Sequence, residues 1–246
     1  MINRSSVKSV WIAAILFFGV AFSASAQDDD AYEDILFLII DGDYEKALKK
    51  SERISSRAKT RREPVPYIYT SMAYYEMSKR DEFKDEYPRA FREAIKAAYK
   101  ARRYDKENEY FPKHAAYINE LKSEIMREAV FLFQSGEWRK STTFAKYVTR
   151  IDPNDVSALL LTGVAEVKAK NQHQSVTTFE NAQKALEDFD ASSVAYDNKG
   201  SFLFAILEYA RLMSEEGSKE EAQPYLDAIA DIYEDDVEFQ RFYESY

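Results

Sequence analysis

The chain has no cysteine among its 246 residues. This absence excludes disulfide bonds, so the stability of the fold depends on packing alone. It also excludes a cysteine nucleophile and a lipid-modified cysteine that would tether the chain to a membrane. Any chemistry or binding must therefore come from other side chains.

Histidine, glycine and proline are also scarce, with two, six and six copies. His114 and His173 belong to no His-x-x-x-His or His-Glu-x-x-His motif, and the chain has no Gly-x-Ser-x-Gly elbow, phosphate loop or Gly-x-Gly-x-x-Gly turn. We therefore expect no catalytic residues, no metal and no cofactor, and we interpret the protein as a non-enzyme. An all-β chain needs more turn residues, whereas long stretches rich in Ala, Leu, Glu and Lys favour helices.

The first 26 residues have the three parts of a secretory signal peptide. Arg4 and Lys8 form a basic start, Val10–Phe22 is an apolar run, and Ala24 and Ala26 form an A-x-A site. The apolar run is shorter than the ~20 residues that span a bilayer, so we expect cleavage after Ala26 and no stable membrane insertion afterwards. The leader predicts export, to the periplasm or outside the cell.

The charge of the chain limits the class of partner. The formal net charge of −9 becomes −11 without residues 1–26, because that segment carries Arg4 and Lys8 and no acid. Nucleic-acid binders carry a basic footprint, so we expect no nucleic-acid partner. Net acidity also argues against a broad electrostatic hold on anionic lipid.

A repeat organises the rest of the sequence. Ser141 and Ser175 are 34 residues apart, and at the same offset Ala145 aligns with Phe179 and Met126 with Leu160. Three short segments also match, "GDYEKA" at 42–47, "GEWRKS" at 136–141 and "GSKEEA" at 217–222. The first two read glycine, acid, aromatic, any residue, lysine and a small residue, while the third lacks the aromatic. A fixed period of this length is typical of helical repeat proteins.

The 34-residue offset and the Gly-x-aromatic-x-x-small turn resemble the tetratricopeptide repeat. The resemblance implies that each glycine takes the left-handed conformation that ends a helix, that the aromatic covers the corner, and that the small residue lets two helices approach closely. Asp152-Pro153 then ends the second helix of a unit. The residues expected to have such structural roles are Gly42, Tyr44, Ala47, Gly136, Trp138, Ser141, Pro153, Ser175, Phe179, Gly217 and Ala222.

The resulting prediction is an all-α fold, a right-handed α-solenoid of about five antiparallel helix pairs in one domain, residues 27–246. The expected units are 31–57, 66–104, 112–150, 156–188 and 193–234, followed by a capping helix at 236–245. The second unit departs from the pattern because "RDEFKDEYP" forms a longer corner. Pro224 lies early in the fifth unit's second helix, which should therefore start late or bend.

The resemblance also implies a concave groove lined by the first helix of each pair. The family's groove positions fall on mostly apolar residues, and a large exposed apolar patch usually marks a binding site. We therefore predict a scaffold or adaptor that holds a partner peptide or protein there, in a cell-envelope assembly. The predicted groove residues are Tyr75, Lys79, Met126, Val130, Phe133, Gln134, Leu160, Val164, Lys168, Leu207 and Arg211.

The sequence alone leaves several questions open. A segment of the chain itself, such as the long first helix of the third or fifth unit, could cover the groove. Exposed aromatics such as Trp138 and the Tyr74–Tyr75 pair could serve as stacking platforms for a glycan or cell-wall polymer. The sequence is also compatible with an enzyme that uses a carboxylate pair, and with a structural protein that associates with itself.

Overall fold

The computed structural model describes residues 30–191, 194 and 198–246. Within that part of the chain it contains eleven α-helices and no β-strand, so the fold is all-α as the composition predicts. The predicted signal peptide and the start of the predicted fifth unit, Ser193, lie outside the described residues.

The helices follow one another with short connections. The first five are α1 (Asp30–Ile40), α2 (Tyr44–Ser55), α3 (Pro64–Ser78), α4 (Ala90–Tyr104) and α5 (Ala115–Gln134). The next six are α6 (Trp138–Ile151), α7 (Val156–Lys168), α8 (Gln172–Glu187), α9 (Lys199–Glu216), α10 (Lys219–Ile229) and α11 (Val237–Ser245). Two 3-10 turns, Asp81–Phe83 and Pro112–His114, occupy the corners before α4 and α5.

Local chemistry explains where many of these helices begin. Asp155 caps α7 and Asp236 caps α11, because each side chain accepts a hydrogen bond from a backbone N–H three residues on, at 3.0 and 2.9 Å. Pro64 opens α3, where its missing N–H costs no intrahelical bond. Pro224 lies inside α10, which begins at Lys219, so the helix does not start late, and the alternative expectation of a bend stays a prediction.

Consecutive helices pack in five pairs, α1–α2, α3–α4, α5–α6, α7–α8 and α9–α10. Between pairs, α2 packs against α3 and α6 against α7. The second and third pairs meet where α4 packs against α6 and where α3 side chains reach Tyr117: the Tyr75 and Tyr117 rings are 5.9 Å apart, and the Ser71 hydroxyl lies 2.5 Å from the Tyr117 hydroxyl. A smaller core around Ile35, Ala47 and Met77 supports the first pairs, and a larger core runs from α3 to α11.

Helix α9 departs from this order. It packs mainly against α7, α10 and α5, and it meets α8 through side chains, with the Phe179 and Tyr209 rings 4.9 Å apart. The first helix of the fifth pair therefore lies across the first helices of the third and fourth pairs. This placement decides which surfaces of the molecule are covered.

Candidate functional site

The apolar residues of the predicted groove in α5 and α7 lie in the core beside α9 rather than on an open surface. Met126, Leu160 and Val164 are fully buried, and Leu207 of α9 is buried with them. The Phe133 ring meets the Phe204 ring of α9 edge-on at 5.7 Å. The stretch of groove predicted here is thus covered by the chain's own helix, which is one of the two arrangements that the sequence left open.

Val130 is half-buried and packs against the same core. An aspartate at Phe133 would place a charge inside the α5–α9 contact and would destabilise the fold. Partner capture with an aspartate variant at this position therefore cannot separate loss of binding from loss of folding.

The predicted groove residues outside this covered stretch do not form one site. The Tyr75 ring is buried against Tyr117, and its hydroxyl donates to Glu120 at 3.1 Å. Lys79 lies over the Tyr75 ring and pairs with Glu76 and Glu120 at 2.6 and 2.9 Å. Burial, and then the charge of Glu120, raises the pKa of Tyr75.

The other polar residues of the predicted groove either contact neighbouring side chains or are exposed to solvent. Arg211 pairs with Glu208 on its own helix and lies over the Phe242 ring, 5.6 Å from its centroid. Lys168 is 3.9 Å from Glu215, and Gln134 is exposed at the end of α5.

The turn residues that the repeat pattern singled out share one backbone geometry. Gly42, Gly136 and Gly217 have φ of +83°, +75° and +77°. At each turn the N–H after the glycine donates to the carbonyl five residues back, at 2.8 to 2.9 Å, which is the Schellman motif. Lys170 adopts φ +63° at the end of α7, where the sequence has no glycine. The N–H of Asn171, which follows it, likewise donates to the carbonyl five residues back.

The remaining repeat residues support close helix packing. Ala47, Ser141 and Ala222 are fully buried, and the Ser141 hydroxyl donates to the Ala129 carbonyl at 2.8 Å. Ser175 and Tyr44 are also buried, whereas Trp138 is 38% exposed. Asp152, next to Pro153, accepts from Lys122 at 2.5 Å.

The aromatic residues considered as stacking platforms for a glycan differ in their solvent exposure. Tyr75 is buried, and Tyr74 is half-buried against the Tyr87 ring. Trp138 is exposed and lines a shallow recess of about 410 Å³ with Lys168, Ala169 and Lys170. The Tyr74–Tyr75 pair thus supplies no exposed stacking face beside Trp138.

A recess of about 970 Å³ lies between α8 and the α9–α10 pair. We call it the acidic cleft. Its lining residues are Val167, Gln172, Ser175, Val176, Phe179, Glu180, Gln183, Leu186, Glu187, Tyr209, Met213, Glu216, Glu220, Glu221, Pro224 and Tyr225. It lies where α9 packs mainly on α7 and α5 and leaves part of one face of α8 uncovered.

The floor of the acidic cleft is apolar and aromatic. The Phe179 ring of α8 lies 4.9 Å from the Tyr209 ring of α9, and Tyr209 meets Tyr225 of α10 edge-on at 5.3 Å. Val176 sits at the mouth with 58% of its surface exposed. An exposed apolar side chain beside a ring-lined floor is suited to an apolar anchor from another molecule.

The rim of the acidic cleft is negative. Five glutamates line it, no Lys or Arg does, and none of the five forms an ion pair within the described residues. The nearby Lys219 donates instead to the Tyr246 carbonyl at 2.8 Å. Burial and the Glu221 carboxylate raise the pKa of Tyr225 to about 12, so its hydroxyl stays neutral at physiological pH.

Two buried charge clusters lie outside the cleft. Lys122 pairs with Asp152 and Asp155 at 2.5 and 2.9 Å, and Asp155 also accepts from Ala158 and Ser157 at the start of α7. Burial alone would raise the pKa of Asp155, but the Lys122 charge and these hydrogen bonds outweigh it and lower the pKa. This cluster ties α5 to the start of α7.

The second cluster joins three helices. The Glu166 side chain of α7 is almost fully buried, pairs with Lys146 of α6 at 2.6 Å, and accepts from Thr178 of α8 at 2.8 Å. A polar recess of about 550 Å³ lies beside it, lined by Thr162, Asn171 and Asn181 among others. Each cluster pairs charged side chains from different helices and so holds these helices together.

Other classes of site find little support in the described part of the chain. No group of three or more His, Cys, Asp or Glu side chains there is placed to hold a metal ion. Among the helices of residues 30–191, 194 and 198–246, none combines the length and the apolar character that crossing a membrane requires. Comparison with models of known protein families finds no match, and a search of curated proteins finds none either.

The acidic cleft does not follow from the repeat pattern, because a regular stack of pairs would place α9 beside α8. One signal for the cleft is present in the sequence. Glu180, Glu187, Glu216, Glu220 and Glu221 fall on three consecutive helices, and residues 189–246 carry fourteen Asp and Glu against four Lys and Arg. An acidic surface formed by successive helices could therefore be predicted, although its apolar floor could not.

Proposed function

We propose that this protein is an exported, non-catalytic scaffold that holds a segment of a partner protein in the acidic cleft. Its architecture in this proposal is a right-handed α-solenoid of about five tetratricopeptide-like pairs, with α11 as the capping helix. The 34-residue offset, the five packed helix pairs and the Schellman turns after α1, α5, α7 and α9 support that architecture. The leader pattern supports export.

The observation that carries the proposal is the combination of features in the acidic cleft. It is large, its floor is made of Phe179, Tyr209 and Tyr225, and its rim acids have no ion-pair partners among the described residues. Aromatic anchors and a central apolar patch with a charged rim are typical of protein interfaces. Val176 is accessible, unlike Phe133 in the covered stretch of the predicted groove.

Affinity capture from a cell-envelope extract tests this function. We expect wild type to retain a specific partner and Val176→Asp to lose it, because the charge would face the apolar floor. Val237→Asp is the matched control, since Val237 is an equally exposed valine on α11, outside the cleft, with 64% of its surface accessible. Capture of the same proteins by wild type and both variants would contradict the proposal.

A further inference from the structure

The acidic cleft lies beside α8, where a close stack of helix pairs would place another helix. Where pairs stack closely, the first helix of one pair lies against the second helix of the pair before it, as α3 does on α2 and α7 on α6. The corresponding neighbour of α8 would be α9, but α9 packs on α7 and α5 instead. The face of α8 that a close stack would cover is therefore left partly open, although the Tyr209 ring of α9 still reaches Phe179.

The open face of α8 runs along the whole helix. Its cleft-lining residues recur every three or four positions, from Gln172 through Val176, Phe179 and Gln183 to Leu186. Residues at this spacing lie on one side of a helix. The face is 16 residues long, or about 24 Å, at 1.5 Å per residue. A face of this kind accepts another helix better than a compact ligand.

The negative charge of the cleft indicates which side chains should flank the apolar stripe of a bound helix. The five unpaired glutamates lie on both walls, Glu180 and Glu187 on α8, and Glu216, Glu220 and Glu221 on the opposite side. Residues 189–246 as a whole carry fourteen Asp and Glu against four Lys and Arg. A guest with acidic flanks would meet like charges on both sides, whereas Lys or Arg on each flank would face acids.

From the partly open position beside α8, the continuous face of α8 and the unpaired acids, we propose that the acidic cleft binds a basic amphipathic helix of another protein. Its apolar stripe would lie on Val176, Phe179 and Leu186, and its Lys or Arg side chains would face the glutamates on the two walls. This inference rests on the proposed function and names the chemistry of the partner segment.

The test uses the mature chain and three synthetic 16-residue peptides of matched length. The first has leucines at helical spacing flanked by lysines, the second has glutamates in place of the lysines, and the third is the lysine peptide with two central prolines. We expect only the first to bind, with affinity that falls as salt rises and with helix formation on binding seen by circular dichroism.

Protein variants locate the binding. Glu180→Gln, Glu220→Gln and Glu221→Gln together should weaken binding of the lysine peptide about tenfold, since each exposed ion pair contributes modestly. The matched control removes the same number of charges at Asp231, Glu234 and Asp235, which do not line the cleft, and should leave affinity unchanged.

Three results would overturn the inference. Equal weakening by the control variant would mean that the peptide senses only the general negative field. Equal binding of the proline peptide would mean that the guest is not a helix. Salt-sensitive dimers that exclude the lysine peptide would make a second copy of this chain the occupant. If these tests fail while Val176→Asp still abolishes partner capture, the proposed function survives and the helix assignment does not.

Discussion

Lys170 occupies the left-handed position that glycine occupies at three other turns. A side chain with a Cβ costs roughly 1–2 kcal/mol in this conformation, whereas glycine adopts it freely. The hydrogen bonds of the turn are the same in both cases, as Asn171 donates to the Glu166 carbonyl at 2.8 Å and Glu137 to the Leu132 carbonyl at 2.9 Å. The fold therefore imposes the left-handed conformation on Lys170, although lysine disfavours it.

Exchanging the residue types at these turns should move stability in opposite directions. Lys170→Gly should stabilise the fold by about 0.5–1 kcal/mol, after allowing for the greater freedom of glycine in the unfolded chain. Gly136→Ala should destabilise it by about 1 kcal/mol, because alanine must adopt φ +75°. Chemical denaturation of the two variants and wild type gives both values. A stabilised Gly136→Ala would refute the assigned turn geometry.

Asp155 is a buried acid whose ionisation contributes to stability. Its pKa is lowered below the ordinary value of an aspartate, so its contribution is present above that value and is lost as the pH falls through the depressed folded pKa. Asp155→Asn should cost about 3 kcal/mol at pH 7, because Lys122 stays buried with one partner fewer. The deficit relative to wild type should shrink as the pH falls below about 4.

Asp152 provides the comparison for that measurement. It also pairs with Lys122, but its side chain is 41% exposed against 8% for Asp155. Asp152→Asn should therefore cost less than about 1 kcal/mol. Equal losses for the two variants across the pH range would mean that burial does not set the strength of this cluster.

At the scale of elements, α7 and α8 approach closely because Gly163 has no side chain. A Cβ at Gly163 would overlap the Phe179 ring, which also forms part of the cleft floor. The packing of this pair and the shape of the candidate site therefore depend on the same contact. The 34-residue offset aligned Phe179 with Ala145 and did not reveal this role.

Gly163→Ala should destabilise the fold by about 1–3 kcal/mol, as expected for overpacking a rigid contact. Adding Phe179→Leu should recover part of the loss, because a smaller and more flexible side chain can yield. Gly200→Ala on α9 is the control: its Cβ meets nothing within 4 Å, so no such loss is expected. An unchanged midpoint for Gly163→Ala would show that α8 can shift away from α7 without cost.

Helix existence could be predicted from the sequence because it follows from local signals. Gly136, Pro153 and Asp155 mark helix boundaries in the sequence, and a small residue follows each of the three turn glycines five positions later. The position of α9 could not be predicted in this way. Leu160 and Val164 present the same apolar stripe whether a partner or the chain's own helix covers it, so the choice depends on tertiary packing.

At the scale of the whole molecule, the central claim concerns which apolar surface is free. The stripe of α5 and α7 is covered by α9, whereas the acidic cleft keeps accessible apolar surface at Val176. Because the natural chain has no cysteine, a single introduced thiol reports on one position without background.

Thiol labelling of Val164→Cys and Val176→Cys in the native protein tests this claim most directly. Val164 is fully buried and Val176 is 58% exposed, so the thiol at position 176 should react rapidly and the thiol at position 164 should react only as the protein unfolds. Denatured samples of both variants, each with one reactive thiol, serve as the reference. Equally rapid labelling of the two native variants would contradict the placement of α9 over the stripe and, with it, the assignment of the acidic cleft as the binding site.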